Sequence, residues 1–198
     1  MARPDQRDQR RTELIPVLAR AFADLGYASA TTAALARATG LRENQLYRLW
    51  PSKKAMFLAT LDHLYDLETR WWSQRLADAE KPADAARQIL EEEGKHRGET
   101  GLHRILFAGL SEPDPEIRAA LADLYQRFHK FIVGVLKQHD DPAAPTIGPS
   151  LAAWSLISLA TFTNIARELE LFGLPTQRKL MAEVGGMLAG LEPSDKSP

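Results

Sequence analysis

The sequence predicts an all-α protein. Apolar residues recur at helical spacing along most of the 198 residues, while Pro and Gly interrupt the pattern at intervals. Runs of alternating β-branched residues, which would predict strands, are absent. Because 44% of the residues are hydrophobic, the chain can build a packed core, and the composition excludes a disordered protein.

The first helix is predicted from Thr12 to Leu25. Apolar residues on one face support it: Leu14, Ile15, Leu18, Ala19 and Phe22. Gly26 follows as the glycine at which helices commonly end. Pro16 conflicts with a helix interior, but it lies at the margin of the first turn if Thr12 is the N-cap.

Further helices follow in order, separated by turn signals. Asp114-Pro115-Glu116, for example, reads as an N-cap, a proline at the first helical position and a first-turn acid. The predicted helices lie near residues 32–39, 42–49, 52–79, 83–93, 102–110, 115–138, 149–172 and 176–189. Residues 192–198 are polar and are predicted to form a disordered tail.

Composition also limits the function classes. The chain has no cysteine, which excludes disulfides, thiolate nucleophiles and Cys-type zinc sites. Its charged first residues predict no signal peptide, and no apolar run approaches ~18 residues, the length of a membrane span. Nucleophile-elbow, P-loop, zincin and dinucleotide motifs are missing. We expect a cytoplasmic protein that is not an enzyme and has no cofactor or metal ion.

The net charge of −1 conceals an uneven distribution. Residues 1–54 contain ten Lys and Arg against five acids, a net charge of +5, and the remainder carries −6. A basic end on an acidic body favours a polyanionic partner that contacts one end only.

The segment from Thr31 to Lys54 has the pattern of a helix-turn-helix. Ala36 is small where the two helices would cross, and Gly40, four positions later, tolerates the turn between them. Leucines at inward positions let the helices share a core: Leu35, Leu41, Leu46 and Leu49. The second helix presents polar residues that suit base edges and phosphates better than a core: Glu43, Asn44, Gln45, Tyr47 and Arg48.

Residues from Thr12 to about Leu61 resemble the DNA-binding domain of the TetR family of transcriptional regulators. The matching elements are Phe22-x-x-x-Gly26-Tyr27, Thr31-Thr32, Leu35-Ala36-x-x-x-Gly40-Leu41 and Leu46-Tyr47-x-x-Trp50-x-Ser52-Lys53. The last element stands in for the family's tyrosine, aromatic and lysine signature. These elements occur together at the family's spacing, which makes the resemblance specific although it covers only about a quarter of the chain.

The resemblance implies roles for individual residues. Thr32 is implied to cap the second helix and to donate to a phosphate, and Tyr47 and Lys53 to bind phosphates. Four residues are implied to face the major groove: Glu43, Asn44, Gln45 and Arg48. Gln45 can pair with adenine and Arg48 with guanine, although Arg48 suits a phosphate equally well.

The sequence departs from the family pattern at Arg42, where a small hydroxyl residue usually caps the recognition helix. Arginine accepts no hydrogen bond, so either the cap is weak, at a cost of about 1 kcal/mol, or Arg42 contacts DNA itself. Glu43 partly offsets a weak cap through the helix dipole.

Trp50 is predicted to be a core aromatic. The basic N-terminal residues are predicted to form a mobile, solvated tail that raises salt-dependent affinity: Arg3, Arg7, Arg10 and Arg11.

The last helices are predicted to pair two protomers, because one helix-turn-helix contacts few base pairs. A stripe at helical spacing supports this interface: Leu151, Ser155, Ser158, Phe162 and Ile165. Gly185 and Gly186 lie inside a helix at a cost of nearly 1 kcal/mol each, which close packing across a dimer axis would explain. A purely intramolecular core is the alternative.

Members of the resembling family enclose a small-molecule pocket in their middle helices. The corresponding candidates here are His63, Trp71, His103, Phe107, Tyr125, Phe128 and His129. Aromatic walls with a few polar groups predict a partly hydrophobic or aromatic effector. Each of these aromatic residues is also compatible with an ordinary core position.

The predicted organisation is therefore an arm and an N-terminal three-helix helix-turn-helix DNA-binding domain over residues 1–54, with the motif at about 32–50. A C-terminal helical ligand-binding and dimerisation domain follows over 55–191. This organisation predicts a homodimeric, ligand-responsive regulator, with a repressor favoured over an activator, that binds an inverted-repeat DNA operator. A helical adaptor whose basic end meets an acidic protein is the competing hypothesis.

Overall fold

The computed structural model describes residues 6–78, 82–95, 101–137, 147–189 and 191. These residues form helices without any strand, which confirms the predicted all-α class. The predicted disordered tail, 192–198, lies outside the described residues. No helix within the described ranges combines the length and the apolar character that crossing a membrane requires.

Ten α-helices are present among the described residues, and most begin and end within a few residues of the predicted positions. They are α1 Gln6–Ser29, α2 Thr32–Thr39, α3 Glu43–Leu49, α4 Lys53–Asp78, α5 Pro82–Lys95, α6 Leu102–Leu110, α7 Pro115–Lys137, α8 Pro149–Glu168, α9 Leu174–Leu180 and α10 Gly186–Leu188. A π-helical segment, Met181–Gly185, joins α9 to α10.

The chain divides into two compact units, each made of two sequence segments. The N-terminal unit comprises Met1–Leu67 and Gly98–Tyr125, and the C-terminal unit comprises Glu68–Arg97 and Gln126–Pro198. The predicted domain boundary between residues 54 and 55 was placed at the end of the helix-turn-helix motif, whereas these units are defined by packing. That boundary stays a prediction.

The predicted start of the first helix is wrong. The helix α1 begins at Gln6, and the Thr12 hydroxyl donates to the Asp8 carbonyl at 3.0 Å inside it, so Thr12 is not its N-cap. Pro16 consequently lies within the helix. The extension is stabilised by the ion pair of Arg11 with Asp8, one turn apart. The left-handed φ of 73° at Gly26 kinks the helix where the sequence predicted its end.

The core of the N-terminal unit centres on three aromatic rings. Phe57 of α4 contacts Phe22 edge-on at 5.2 Å and Tyr27 at 4.9 Å between ring centroids. Phe22 and Phe57 are fully buried. The packing of α6 on α1 is so close that a Cβ atom on Gly101 would lie 2.7 Å from the Cβ of Ala23. The helices that carry the predicted motif therefore rest on a rigid apolar base.

The predicted cap of α7 is confirmed. The Asp114 carboxylate accepts hydrogen bonds from the backbone amides of Glu116 at 2.9 Å and Ile117 at 3.3 Å. Lys54 forms ion pairs with Asp114 and Glu116. These contacts hold the pKa of the Asp114 carboxyl below its ordinary value, chiefly through the hydrogen bond from Lys54.

In the C-terminal unit, α5 packs against α9 and the π-helical segment. A Cβ atom on Gly185 would lie 2.9 Å from Cδ2 of Leu90 and 3.7 Å from Cδ2 of Leu159. Gly185 thus packs against side-chain ends of its own chain, and its predicted role at a dimer interface stays a prediction. A Cβ atom on Gly186 would meet nothing within 4 Å, and its predicted role at a dimer interface stays a prediction.

Candidate nucleic-acid interface

The turn between α2 and α3 has the geometry that the sequence predicted. Gly40 has a left-handed conformation, with φ of 68°, and the Leu41 amide donates back to the Ala36 carbonyl at 3.0 Å. Residues with a side chain rarely adopt this backbone conformation, which explains glycine at this position. Leu35 and Ala36 are buried beneath the turn.

The N-cap of α2 is Thr31 rather than Thr32. The Thr31 hydroxyl accepts a hydrogen bond from the Ala34 amide at 3.2 Å, and Thr32 is the first helical residue. Thr32 instead places its hydroxyl 3.1 Å from that of Tyr47, whose side chain is 47% exposed. Two hydroxyl groups, one from each helix, therefore lie together at the surface.

The Arg42 side chain makes no capping hydrogen bond at the start of the recognition helix α3, which confirms the prediction that this N-cap lacks an acceptor. The Gln45 side chain compensates, because its Oε1 accepts a hydrogen bond from the Arg42 amide at 2.8 Å. Gln45 thus serves as half of a capping box. Its side-chain oxygen is therefore already bonded, which leaves the amide nitrogen for a donor contact.

One face of α3 is buried and the other is exposed. Leu46 is fully buried, and Trp50 just beyond the helix is 4% exposed, which confirms Trp50 as a core aromatic. The exposed residues coincide with those predicted for DNA contact: Arg42, Glu43, Asn44, Gln45, Tyr47 and Arg48. A short helix with a polar, basic and uncovered flank has the form that enters a major groove.

Lys53 has an internal partner. Its ammonium group donates to the Tyr27 carbonyl at 2.8 Å and lies 4.3 Å from the centre of the Tyr27 ring. A cation in this place stabilises the carbonyl end of α1. The phosphate contact implied for Lys53 stays a prediction, and the structure adds a role in fixing α4 to α1.

Sequence reasoning missed a contact between the N-terminal basic residues and the recognition helix. Arg11 donates from Nε to the Leu49 carbonyl at 2.8 Å, and Arg7 donates to the same oxygen at 3.4 Å. The prediction of a mobile tail is wrong for Arg7, Arg10 and Arg11, which lie on α1; Arg3 lies outside the described residues. The four-residue spacing of Arg7 and Arg11 could have signalled this, once α1 was extended to Gln6.

We expect Arg11→Gln to weaken DNA binding without removing a phosphate contact. Leu49 is the last residue of α3, and losing a charge-assisted hydrogen bond to its carbonyl loosens the helix end, at a cost of about 1–3 kcal/mol before solvent screening. Affinity should fall severalfold, while the slope of log affinity against log salt stays unchanged. A direct phosphate contact would instead lower that slope by about 1. Arg10→Gln, which changes the exposed neighbour, is the matched control.

The predicted pocket residues are divided between the two units. His63, His103, Phe107 and Tyr125 belong to the N-terminal unit, and the rest belong to the C-terminal unit. There, Phe128 is buried with its ring centroid 6.0 Å from that of Trp72, and the Trp71 ring lies under the Arg75 guanidinium at 4.3 Å. A shared effector pocket stays a prediction.

His129 has well-defined partners in the C-terminal unit. Its ring stacks on Trp154 at 4.5 Å between centroids, and its Nε2 lies 3.1 Å from the Ser150 hydroxyl oxygen. These contacts join α7 to the first turns of α8. The geometry fits a structural histidine as well as a ligand contact.

Glu93 is the last of three consecutive glutamates on α5, and its carboxyl is in an unusual environment. Burial raises the pKa of its carboxyl to about 8; the charge of Glu68 raises that pKa too, and the nearby Trp72 side chain lowers it by a smaller amount. Both neighbours lie on α4, where Glu68 and Trp72 are one helical turn apart. Nothing in the local sequence E-E-E distinguishes Glu93, because its surroundings come from another helix.

We expect Glu93 to make the protein less stable as the pH rises. The folded state holds its proton up to a pH of about 8, whereas the unfolded chain releases it near the ordinary value of 4.5. The free energy of unfolding should therefore decrease between these two values. Thermal melts followed by circular dichroism at pH 6 and pH 9 should show this decrease, and Glu93→Gln should reduce it. Glu91→Gln, which alters an exposed residue of the same helix, should leave it as in the wild type.

Comparison with known proteins agrees with this geometry. Residues 14–60 match the family model described as bacterial regulatory proteins, tetR family. The chain is 26% identical over 147 residues to the nucleoid occlusion factor SlmA of Pasteurella multocida (strain Pm70), covering 69% of this chain and 71% of that protein.

Solved structures share the fold over nearly the whole chain. A TetR-family transcriptional regulator from Cytophaga hutchinsonii aligns with a TM-score of 0.78 and 16% identity, covering 98% of this chain and 100% of that chain. AibR in complex with isovaleryl coenzyme A and operator DNA aligns with a TM-score of 0.68 and 18% identity, covering 92% and 100%.

The fold and the exposed face of α3 define a helix-turn-helix, DNA-binding transcriptional regulator. Residues 14–60 form a DNA-binding domain of the tetR family of bacterial regulatory proteins.

Proposed function

We propose that this regulator is a homodimeric repressor that binds an inverted-repeat operator and is released by a small-molecule effector. The observation that carries the proposal is the uncovered polar flank of α3, held by a buried apolar base. Arg48, Asn44 and the Gln45 amide supply donors for base edges, and the Thr32–Tyr47 hydroxyl pair supplies a phosphate contact beside them.

Dimerisation is supported by an apolar face on the last helices. Large hydrophobic side chains are exposed there: Leu151, Phe162 and Leu169, with Met187 of α10 at 68% exposure. Ser158 is also exposed, while Ser155 and Ile165 are partly buried. A soluble protein rarely leaves such a face uncovered. Pairing through it would let two copies of α3 enter successive major grooves, about 34–36 Å apart.

An effector is supported by the solved relative AibR, whose structure holds isovaleryl coenzyme A together with operator DNA. In this chain the effector would bind in the helical region that follows the helix-turn-helix and favour a dimer whose recognition helices no longer match the operator. By thermodynamic reciprocity the operator would then weaken effector binding by the same factor.

The first experiment is selection of bound duplexes from a random pool with purified protein. The proposal expects an enriched inverted repeat whose affinity falls steeply with salt. Enrichment of single half-sites would contradict the dimer, and failure to bind any duplex would contradict the whole proposal and favour the adaptor. Competition between operator and small acyl or aromatic compounds then tests the effector, since operator affinity should change reciprocally with ligand.

A second candidate is a factor that marks chromosomal DNA rather than a promoter, and the similarity to the nucleoid occlusion factor SlmA favours it. The DNA-binding surface would be the same, but its targets would be numerous and no small molecule would be needed. Mapping of bound sites in cells separates the two, because a repressor occupies a few promoters whereas such a factor occupies sites spread along the chromosome.

A further inference from the structure

A cavity of about 390 Å³ lies in the C-terminal unit where α8 ends and α9 begins. It is lined by Arg167, Glu170, Phe172, Gly173, Leu174 and Gln177. None of these residues belongs to the DNA-binding face or to the predicted effector pocket. The volume lies within the range of about 300–1,000 Å³ that small-molecule sites occupy.

The cation in this cavity has unused hydrogen-bonding capacity. The Arg167 side chain is 19% exposed, and its Nη1 atom is enclosed without a hydrogen-bond partner among the described residues. The partner of its other terminal nitrogen is the adjacent Glu168, at a long 3.4 Å. Because Nη1 is closed to solvent, an anion in the cavity would contact the accessible edge of the guanidinium, whose hydrogen bond to Glu168 is long.

The backbone places a carboxylate at the same cavity. Glu170 has a left-handed φ of 54°, at the position after α8 where glycine is usual. The turn is closed by a hydrogen bond from the Leu171 amide to the Ala166 carbonyl at 2.8 Å. Such strain in a residue with a side chain is often found where the side chain has a function. Glu170 forms no ion pair with the residues that the structure describes.

The charges and walls together specify the ligand. One guanidinium and one carboxylate give the cavity no net charge, so a single negative charge is accepted more easily than two. The planar fork of arginine matches the planar carboxylate in particular. Phe172 and Leu174 supply an apolar wall for a hydrocarbon tail.

We propose that this cavity binds a small monocarboxylate with an apolar tail, whose carboxylate pairs with Arg167 while its tail lies against Phe172 and Leu174. Glu170 excludes dianions of the same length. The site does not depend on the proposed repressor function, since binding is measured on the protein without DNA.

Isothermal titration of the full-length protein at pH 7.5 with hexanoate, hexanol and hexyl phosphate tests the proposal. Hexanoate is expected to bind saturably, and hexanol, which lacks the charge, to bind roughly tenfold more weakly or worse. Hexyl phosphate carries nearly two charges at this pH and should also bind weakly. Absence of saturable hexanoate binding, or equal affinity for hexanol, would overturn the proposal.

Variants locate the binding on Arg167. Arg167→Gln and Arg167→Lys should each lower hexanoate affinity, the lysine variant because it keeps the charge but loses the fork. Glu170→Gln should tighten hexanoate binding and admit hexyl phosphate, a gain that misfolding cannot produce. Lys179→Gln, at an exposed cation on α9, should leave both affinities unchanged.

Two outcomes would contradict hexanoate binding at this cavity. Unchanged hexanoate affinity in both Arg167 variants would assign the binding to another cavity. A change only in the dimer dissociation constant of these variants would show that Arg167 serves a second protomer, and it would overturn the small-molecule site while leaving the proposed repressor function intact.

Discussion

Phe162→Asp is expected to separate the proposed homodimer and to lower operator affinity by about 100-fold or more, because the second half-site then binds as an independent event. Phe162 is 48% exposed on α8, in line with Leu151 and Leu169. A carboxylate at this position would be buried against apolar surface if two protomers pair there, and an unpaired buried charge is strongly unfavourable. Sedimentation velocity measures the assembly, and titration of the selected duplex measures the affinity.

The control for this variant is Leu110→Asp. Leu110 is 57% exposed at the end of α6, so it presents a comparable apolar surface on a helix of the N-terminal unit. This control should remain dimeric and bind the operator as the wild type does. A Phe162→Asp protein that stays dimeric with unchanged operator affinity would show that the exposed stripe of α8 has another purpose.

Phe57→Ala is expected to lower the free energy of unfolding by about 3–5 kcal/mol, the usual cost of deleting a buried phenyl ring. Phe57 is fully buried and touches both Phe22 and Tyr27. A cavity there would loosen α1 and α4, which together support the recognition helix. Since domains are stable by only about 5–15 kcal/mol, the loss should show clearly in urea denaturation followed by circular dichroism.

The matched control is Leu67→Ala on the same helix, a side chain that is 41% exposed. A surface substitution of this kind should change stability by no more than about 0.5 kcal/mol. DNA binding by Phe57→Ala should follow the folded fraction at each urea concentration. Equal stabilities of the two variants would mean that the aromatic cluster contributes little to the N-terminal unit.

The recognition element was predictable because its determinants are local. The bounds of α2, the left-handed glycine at position 40 and the burial of Trp50 follow from spacing and from the conformational freedom of single residues. The exposed flank of α3 follows from the same helical period, since burying Leu46 and Leu49 turns the polar residues outward.

The long-range contacts that hold the helix-turn-helix in place were not predictable from the sequence. The sequence indicates that Lys53 is a phosphate ligand, yet its ammonium group donates a hydrogen bond to the carbonyl of Tyr27, 26 residues earlier. The sequence indicates that Arg11 is part of a mobile tail, yet its guanidinium donates a hydrogen bond to the carbonyl of Leu49, 38 residues later at the end of the recognition helix. A long flexible cation has many partners of similar energy, and only the packed backbone brings one of them within reach.

The sequence by itself determined the helical class, the helix-turn-helix and the polar surface offered to DNA, because helical periodicity, caps and turns depend on neighbours within a few residues. Tertiary structure alone decided which arginine holds α3, what Gly185 packs against and why Glu93 keeps its proton. Those properties depend on atoms that are distant along the chain, and on the desolvation that arises only when the helices pack together.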